Sequence, residues 1–307
     1  MTQPLVDTEL DALLDRVPVL QGLDRSVVEL SGGLTNQNLR VTTPGGDYVV
    51  RRFRGDGELL GIDRDAEHHN SVAAAEAGVG APVVDYRGDL GVLVIGYVDG
   101  RTFDNSCFGE PGVLDRVADA CRTLHSGPRF VNDFDMFARQ SRYLRTVHEH
   151  GWPLFDGYLD HDEAFHRVEM ALAVRARPTV PCNNDLLAGN FLDDGVRLWL
   201  IDYEYSGNND DCFELGNIST ECDLEPHQVE HLVTSYDGRG SRQRLARVRL
   251  QMLVSAYGWS LWGAIQSTAS HLDYDFAGWG RERFEKAARG FTSHGFERLL
   301  EEATGAD

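Results

Sequence analysis

Two short apolar runs, each closing on acids and amides, sit between segments whose apolar residues recur at helical spacing. They read TVPCNNDLLAGNFL (179–192) and LWLIDYEY (198–205). A short apolar run bounded by a polar cluster reads as a short strand that hands its last side chains to one place. Asp185, Asn190 and Asp202 are then strand-end residues, a pattern that fits either a surface turn or a site for a metal ion and a phosphate. Helical patterns lie on both sides, at about 111–126, 132–149, 160–176, 226–236, 241–270 and 279–303. Any fold for this chain must therefore let a helical body carry a few short strands at its centre.

The first third reads differently. A short helix fits 8–16, where Leu10, Leu13 and Leu14 keep helical spacing. VVELSGGLTNQNLRVTTPGGDYVVRRFRG (27–55) reads as strand, Gly-rich turn, strand, hairpin at Gly45-Gly46, strand. A helix over 62–77 stops at Gly78, and APVVDYR and GVLVIGYV supply two more strands. The expectation is an α+β, bilobal chain: a small β-rich lobe over 1–98 and a larger, mostly helical lobe over 99–307.

The chain has 307 residues and a formal charge of −20. That balance argues against a nucleic-acid or anionic-membrane surface and is compatible with a small cationic substrate. Lys286 is the only lysine, so any role that needs a flexible cation elsewhere falls to Arg. The five cysteines (Cys107, Cys121, Cys182, Cys212, Cys222) form no C-x-x-C pair and read as free thiols of a reducing compartment. The first residues, MTQPLVDTELDALLDRV, do not read as a signal peptide, and LVSAYGWSLWGAI (253–265) is too short to span a bilayer. No membrane insertion and a cytoplasmic location are expected.

Four segments carry chemistry. In SGGLTNQNLRV (31–41) the glycines let backbone N–H groups approach phosphate oxygens, which makes Ser31, Gly32, Gly33 and Asn36 candidates for holding nucleotide. Gly-Gly hairpins without ligands are common, so this segment decides nothing alone. In YVVRRFRG (48–55), Arg51 and Arg52 face opposite sides of a strand, and one of them can point under the Gly turn. Glu67, on the next helix, is placed to pair with such an Arg, as happens where a cation is held against phosphates. Asp185 and Asn190 have the D-x-x-x-x-N spacing of a kinase catalytic loop. An Asp there accepts a proton from an attacking hydroxyl, an Asn oxygen ligates Mg²⁺ without adding charge, and Asp202 supplies the carboxylate that holds Mg²⁺ against phosphates. Each motif alone is explained by turn formation; all of them in this order are not.

The motifs together resemble the choline/ethanolamine kinase family, within the aminoglycoside-phosphotransferase-like, protein-kinase-like enzymes, and bacterial members more than eukaryotic ones. SGGLTN, VVRRFRG and IDRDAE resemble the family's Gly-rich segment, its Arg-bearing strand and the start of its helix. VIGYVDGR (94–101) resembles its hinge, CNNDLLAGNFL its C-H-N-D-L-x-x-x-N-x-L loop, and LIDYEYSGNNDDCFELGNISTE (200–221) its I-D-[FW]-E-Y segment with the D-[IL]-[AG]-N that follows. The resemblance implies ATP and Mg²⁺ as cofactors. It implies Asp185 as catalytic base, Asn190 and Asp202 as metal ligands, Arg51 with Glu67 at the phosphates, and adenine against Gly96, Tyr97 and Val98. Two positions depart from the family: Asn183 stands where His is usual and Glu214 where Asp is usual. They define a second reading, a nucleotide-binding protein with weak or no turnover.

The acceptor is read from the C-terminal part. AYGWSLWGAIQ (256–266) places Trp259 and Trp262 three apart on one helix face, a pattern that by itself favours core packing. It resembles the family's W-G-L-W segment, and HLDYDFAGWGRERF (271–284) resembles D-F-x-x-Y-x-x-x-R-[FY] with Trp279 in the Tyr position. With Tyr205, the resemblance implies an aromatic pocket and a small cationic amino-alcohol, choline, as partner. A quaternary ammonium has no N–H to donate, and each aromatic face attracts it by roughly 0.5–2 kcal/mol. Glu204 and Glu221 are the carboxylates expected to add attraction. The remaining alternatives are a kinase of ethanolamine, of an aminoglycoside, or of a methylthioribose-like sugar.

Overall fold

The structure is a computed structural model that describes residues 8–30, 32–55 and 57–306; Ser31 lies outside them. Strands β1 (Ser26–Leu30), β2 (Asn36–Thr43), β3 (Gly46–Phe53), β4 (Val83–Arg87) and β5 (Val92–Gly96) form an antiparallel sheet in the order β1-β2-β3-β5-β4. The hairpin register pairs Thr43 with Gly46, so the β2–β3 turn sits at Pro44-Gly45, one residue before the expected Gly45-Gly46. Alternation decides the two faces. Val27, Leu39, Val41, Val50, Val92 and Val94 close a core with Leu10 and Leu14 of α1 (Thr8–Leu14). Arg51 and its cross-strand partner Leu93 look the other way, toward the helical body. Arg51 is buried and Arg52 exposed, which settles which of the pair points inward.

Helix α3 (Arg64–Ala77) follows the short α2 (Gly57–Leu60). Asp63 caps its N-terminus through Ala66 N–H, and Gly78 closes it in the left-handed region at φ 90°. The helical body holds α4 (Val113–His125), α5 (Met136–His150), α6 (Asp162–Val174), α7 (Asp211–Glu221), α8 (Pro226–Asp237), α9 (Arg242–Ala269), α10 (Phe276–Phe291) and α11 (Phe296–Thr304). The expected helix over 279–303 is two helices, because Ser293-His294-Gly295 break it. Helix α7 was not foreseen. All of its residues are buried, so it lacks the polar stripe that a periodicity search needs.

The 28-residue α9 is the centre of the body and packs against α5, α7, α10 and α11. Two small sheets lie at the junction with the first sheet. β7 (Val180–Cys182) pairs with β10 (Gly207–Asn209), and β8 (Phe191–Asp193) lies between β6 (Arg101–Thr102) and β9 (Leu198–Leu200). Leu200 N–H donates to Val79 O at 2.9 Å, stitching β9 to the chain leaving α3. Among the described residues no helix is long and apolar enough to cross a membrane. All five cysteines are free and buried.

Candidate active site

The loop after β7 is held by four amides and one buried carboxylate. Glu214 of α7 is fully buried and accepts Asn183 N–H on Oε1 and Asn184 N–H on Oε2, each at 2.7 Å. One side chain thus serves two consecutive main-chain donors. His125 Nε2 lies 3.7 Å from Glu214 Oε1 and 3.7 Å from Cys182 Sγ. These three side chains are metal-competent by type, but both Glu214 oxygens are committed to the loop. Asn217, one turn further on, accepts Leu186 N–H at 2.8 Å. The unforeseen helix therefore fixes the loop that carries Asp185.

Asn183 joins this loop to the segment after β9. Its Nδ2 donates to Ile201 O at 3.1 Å and Asp202 O at 2.9 Å, and its Oδ1 accepts Asp185 N–H at 3.1 Å. An Asn here makes a brace that uses both its donor and its acceptor. Asn184 and Asp202 both adopt left-handed φ, 68° and 65°, a conformation uncommon outside glycine. Asn184 is held there by Asn209, which donates to its Oδ1 at 2.8 Å, and by its own Nδ2 facing three carbonyls at 3.2 Å. Backbone strain concentrated on two facing loops marks a place where side-chain aim is fixed.

Asp202 meets the first sheet. Arg51 Nη2 lies 2.6 Å from Asp202 Oδ1, 3.2 Å from Glu67 Oε1 and 3.9 Å from Glu204 Oε2. The expected Arg51–Glu67 pair is present and buried. Arg64, which sequence reasoning passed over, adds a second cation: its Nη1 lies 2.7 Å from Glu67 and 3.3 Å from Glu204. Glu204 also takes Thr35 Oγ1 at 2.8 Å and Asn36 Nδ2 at 2.9 Å, so the Gly-rich turn is tied to the segment after β9. In that turn Gly32 has φ 97°, and a Cβ on Gly33 would sit 2.2 Å from Asn36 O, which requires glycine at both positions. Arg51 Nε and Arg64 Nη2 are buried donors without hydrogen-bond partners, capacity that phosphate oxygens can use.

A crevice between β5 and β9 is walled by Ala81, Leu93, Ile95, Leu200, Ile201 and Tyr203, with Arg51 and Asp202 in its lining. Gly96, Tyr97 and Val98 leave β5 beside it. Gly96 N–H donates to Pro82 O at 2.8 Å and Tyr97 N–H to Asp47 O at 3.0 Å. Those two N–H groups are committed within the fold.

Asn190 Nδ2 donates to Asp185 O at 2.8 Å, which turns its oxygen toward any cation at the site. Burial first, then the charges of Asp202, Glu221 and Glu204, push the Asp185 carboxyl well above the usual carboxylate range, while Arg283 pulls it back. Burial and the charges of Asp202 and Glu67 likewise raise Glu204 to about 7. Asp202 and Asn190 offer the hard oxygens that Mg²⁺ takes, and a cation among these repelling acids relieves the repulsion.

The aromatic residues adjoin this acid cluster. Trp262 Nε1 donates to Tyr205 OH at 2.9 Å, and Trp262 meets Trp279 edge to face with centroids 5.1 Å apart. Trp259 lies under Tyr205 at 4.8 Å and is a core residue, 2% exposed. Tyr205 and Trp262 are also buried; Trp279 is half-buried. The rings pack on one another, with Trp279 the one most open to a ligand. Glu221 is engaged by Arg283, whose guanidinium stands over Trp279, 3.4 Å from the ring centroid. The structure thus brings Asn36, Arg51, Glu67, Asp185, Asn190, Asp202, Glu204, Tyr205, Glu221, Trp262 and Trp279 into one region, and sets Trp259 behind it. Arg64, Thr35, Asn217 and Arg283 join them unforeseen; each lay within a quoted motif, but nothing in its spacing gave it a partner.

Residues 26–248 match the phosphotransferase enzyme family, APH. Protein LicA of Haemophilus influenzae is 26% identical over 262 residues, 80% of this chain and 75% of that protein. A probable ethanolamine kinase of Arabidopsis thaliana is 27% identical over 289 residues, 83% of this chain and 76% of that one. The crystal structure of a choline/ethanolamine kinase family protein from Mesorhizobium loti superposes with TM-score 0.85 at 33% identity, covering 96% of this chain and 98% of that one. The fold is protein-kinase-like, and the site is that of a phosphotransferase with an alcohol as acceptor. Within that class, the chain belongs to the choline/ethanolamine kinase family of the phosphotransferase enzymes.

Proposed function

We propose that the protein transfers the γ-phosphoryl group of ATP to the hydroxyl of choline, with Mg²⁺ bound by Asp202 and Asn190. One observation carries this reading: Glu204, which holds Thr35 and Asn36 of the Gly-rich turn, is followed in the chain by Tyr205, whose hydroxyl accepts Trp262 Nε1–H at 2.9 Å. The acids of phosphoryl transfer and the aromatic wall are therefore one site.

In this reading residues 1–98 hold the nucleotide and 99–307 supply the chemistry and the acceptor pocket. Asp185 takes the proton of the attacking hydroxyl. Arg51, oriented by Glu67, and the turn Ser31, Gly32, Gly33 and Asn36 contact the phosphates. Asp202 and Asn190 would hold Mg²⁺, which would supply charge neutralisation at the phosphates. Adenine lies in the β5–β9 crevice, against Val98 and the carbonyl side of Gly96 and Tyr97, since those two N–H groups are committed. Trp279 and the edge of Trp262 meet the ammonium headgroup, with Tyr205 and Trp259 backing them. Glu204 holds the Gly-rich turn and Glu221 anchors Arg283, so both act on substrate indirectly. The cytoplasm, which supplies ATP and keeps five thiols reduced, is the compartment that suits this activity.

The test is ADP release with choline, ethanolamine and a kanamycin-like aminoglycoside, each with Mg²⁺ and with EDTA. The expected result is Mg²⁺-dependent turnover with choline above ethanolamine and none with the aminoglycoside. Turnover with the aminoglycoside alone, or nucleotide binding with no acceptor-dependent ADP release, overturns it.

A further inference from the structure

Arg283 is one helical turn beyond Trp279 on α10. Its guanidinium carbon stands over the Trp279 ring, 3.4 Å from the centroid, and its Nη1 donates to Trp279 O at 3.3 Å. Its Nε lies 3.1 Å from each oxygen of Glu221, and its Nη2 also donates to Oε2. The Glu221 side chain is 2% exposed and that of Arg283 12%. One face of Trp279 is thus covered by a cation that belongs to the protein, and the buried carboxylate beside it is saturated. A second carboxylate near the rings, Glu204, is taken by Thr35, Asn36 and Arg64.

We infer that Arg283 is the residue that decides which ammonium headgroup the acceptor pocket accepts, by withholding the Glu221 carboxylate. The inference rests on the amino-alcohol reading of the pocket given above. A primary ammonium brings three N–H donors, and each must find an acceptor when it leaves water. A quaternary ammonium brings none and is held by ring faces. With Glu221 committed, the carboxylate beside Trp279 is closed to a headgroup, which meets indole surface there instead, and that suits the methylated form. Removing the guanidinium frees both the carboxylate and the covered face of Trp279, and a primary ammonium gains the acceptors it lacked. Arg283 acts through Glu221 and Trp279, so it is a positioning residue.

The experiment measures kcat/KM for ethanolamine, its N-methyl and N,N-dimethyl derivatives, and choline. The wild type, Arg283→Met, and Arg283→Met combined with Glu221→Gln are compared. The wild type is expected to favour each added methyl. Arg283→Met shifts the choline-to-ethanolamine ratio toward ethanolamine by about tenfold or more, and the double variant, which has no carboxylate to free, returns the ratio toward the wild type. A residue needed only for packing lowers all four substrates in parallel, and that outcome overturns the inference. If Arg283→Met does not fold, Arg283→Gln, which drops the charge and holds Glu221 by at most a single hydrogen bond, must shift the ratio in the same direction by a smaller factor. A wild type that uses these amines with ratios unmoved in every variant refutes the role of Arg283 alone; a wild type that uses none of them refutes the amino-alcohol reading and this inference together.

Discussion

Gly263 of α9 and Gly280 of α10 touch: a Cβ on Gly263 would sit 2.7 Å from Gly280 Cα. The residue before each is Trp262 and Trp279, and the close helix crossing is what brings those two indoles edge to face. Gly280→Ala would meet Phe155 and the Ser260 carbonyl, each at 2.8 Å. Overpacking of this kind costs about 1–3 kcal/mol. The expected outcome is a lower urea midpoint together with a raised KM for the acceptor and an unchanged KM for ATP. An acceptor KM that stays put shows that the crossing does not set the pocket.

Glu214 carries the loop of Asp185 through two main-chain hydrogen bonds. Glu214→Asp is one methylene short and cannot reach both donors. Glu214→Gln turns an NH2 group toward one of them. A buried N–H left unpaired costs about 1–3 kcal/mol. Both variants should unfold at lower urea and lose kcat, because the loop no longer fixes Asp185. A wild-type midpoint in Glu214→Asp would show that the loop is held by Asn217 and Asn184 without it.

Asn183 and Asp185 separate bracing from chemistry. Asp185→Asn keeps the shape and removes the proposed base; kcat is expected to fall by about 10²–10⁴ with nucleotide affinity retained in calorimetry. Asn183→Ala frees the Ile201 and Asp202 carbonyls and loosens the left-handed turn at Asp202. It should weaken Mg²⁺ dependence as well as kcat, read as a higher Mg²⁺ concentration for half-maximal rate. Equal Mg²⁺ requirements in wild type and Asn183→Ala contradict the brace.

The crowded acids give the metal-free protein a pH signature. The Glu204 carboxyl is raised from 4.5 to about 7. A carboxyl whose native pKa lies above its unfolded value contributes stability that is fully present below the unfolded value and is lost as pH rises through the native one. In EDTA the urea midpoint should therefore decline from about pH 4.5 to about pH 7, with Glu204 accounting for up to about 3 kcal/mol. Mg²⁺ with ATP favours the ionised acids, so the gap between the EDTA and Mg²⁺ curves widens with pH. Superposed curves across this range rule the repulsion out.

Trp259 and Trp262 are three residues apart and should behave differently. Trp259→Ala empties a fully buried site and costs about 3–5 kcal/mol in unfolding measurements. Trp262→Phe keeps the packing and breaks the bond to Tyr205 OH, so its effect should appear in the acceptor KM. Equal effects on stability with no change in KM would make both of them core residues.

The sequence by itself determined the β-rich first part with its inserted helix, the mostly helical remainder, and the candidates Arg51, Glu67, Asp185, Asn190 and Asp202. These follow from local signals: strand alternation, glycine turns, helix stops and acids at strand ends, all set by residues close together in the chain. Tertiary structure alone decided how they are held. Helix α7 is invisible to periodicity because it is buried on every side, yet it anchors the catalytic loop through Glu214 and Asn217. Glu204 joins Thr35 across 169 positions, and Arg283 joins Glu221 across 62. Whether a buried carboxylate is free or saturated depends on which distant donor reaches it, and that is a property of packing that no local pattern encodes.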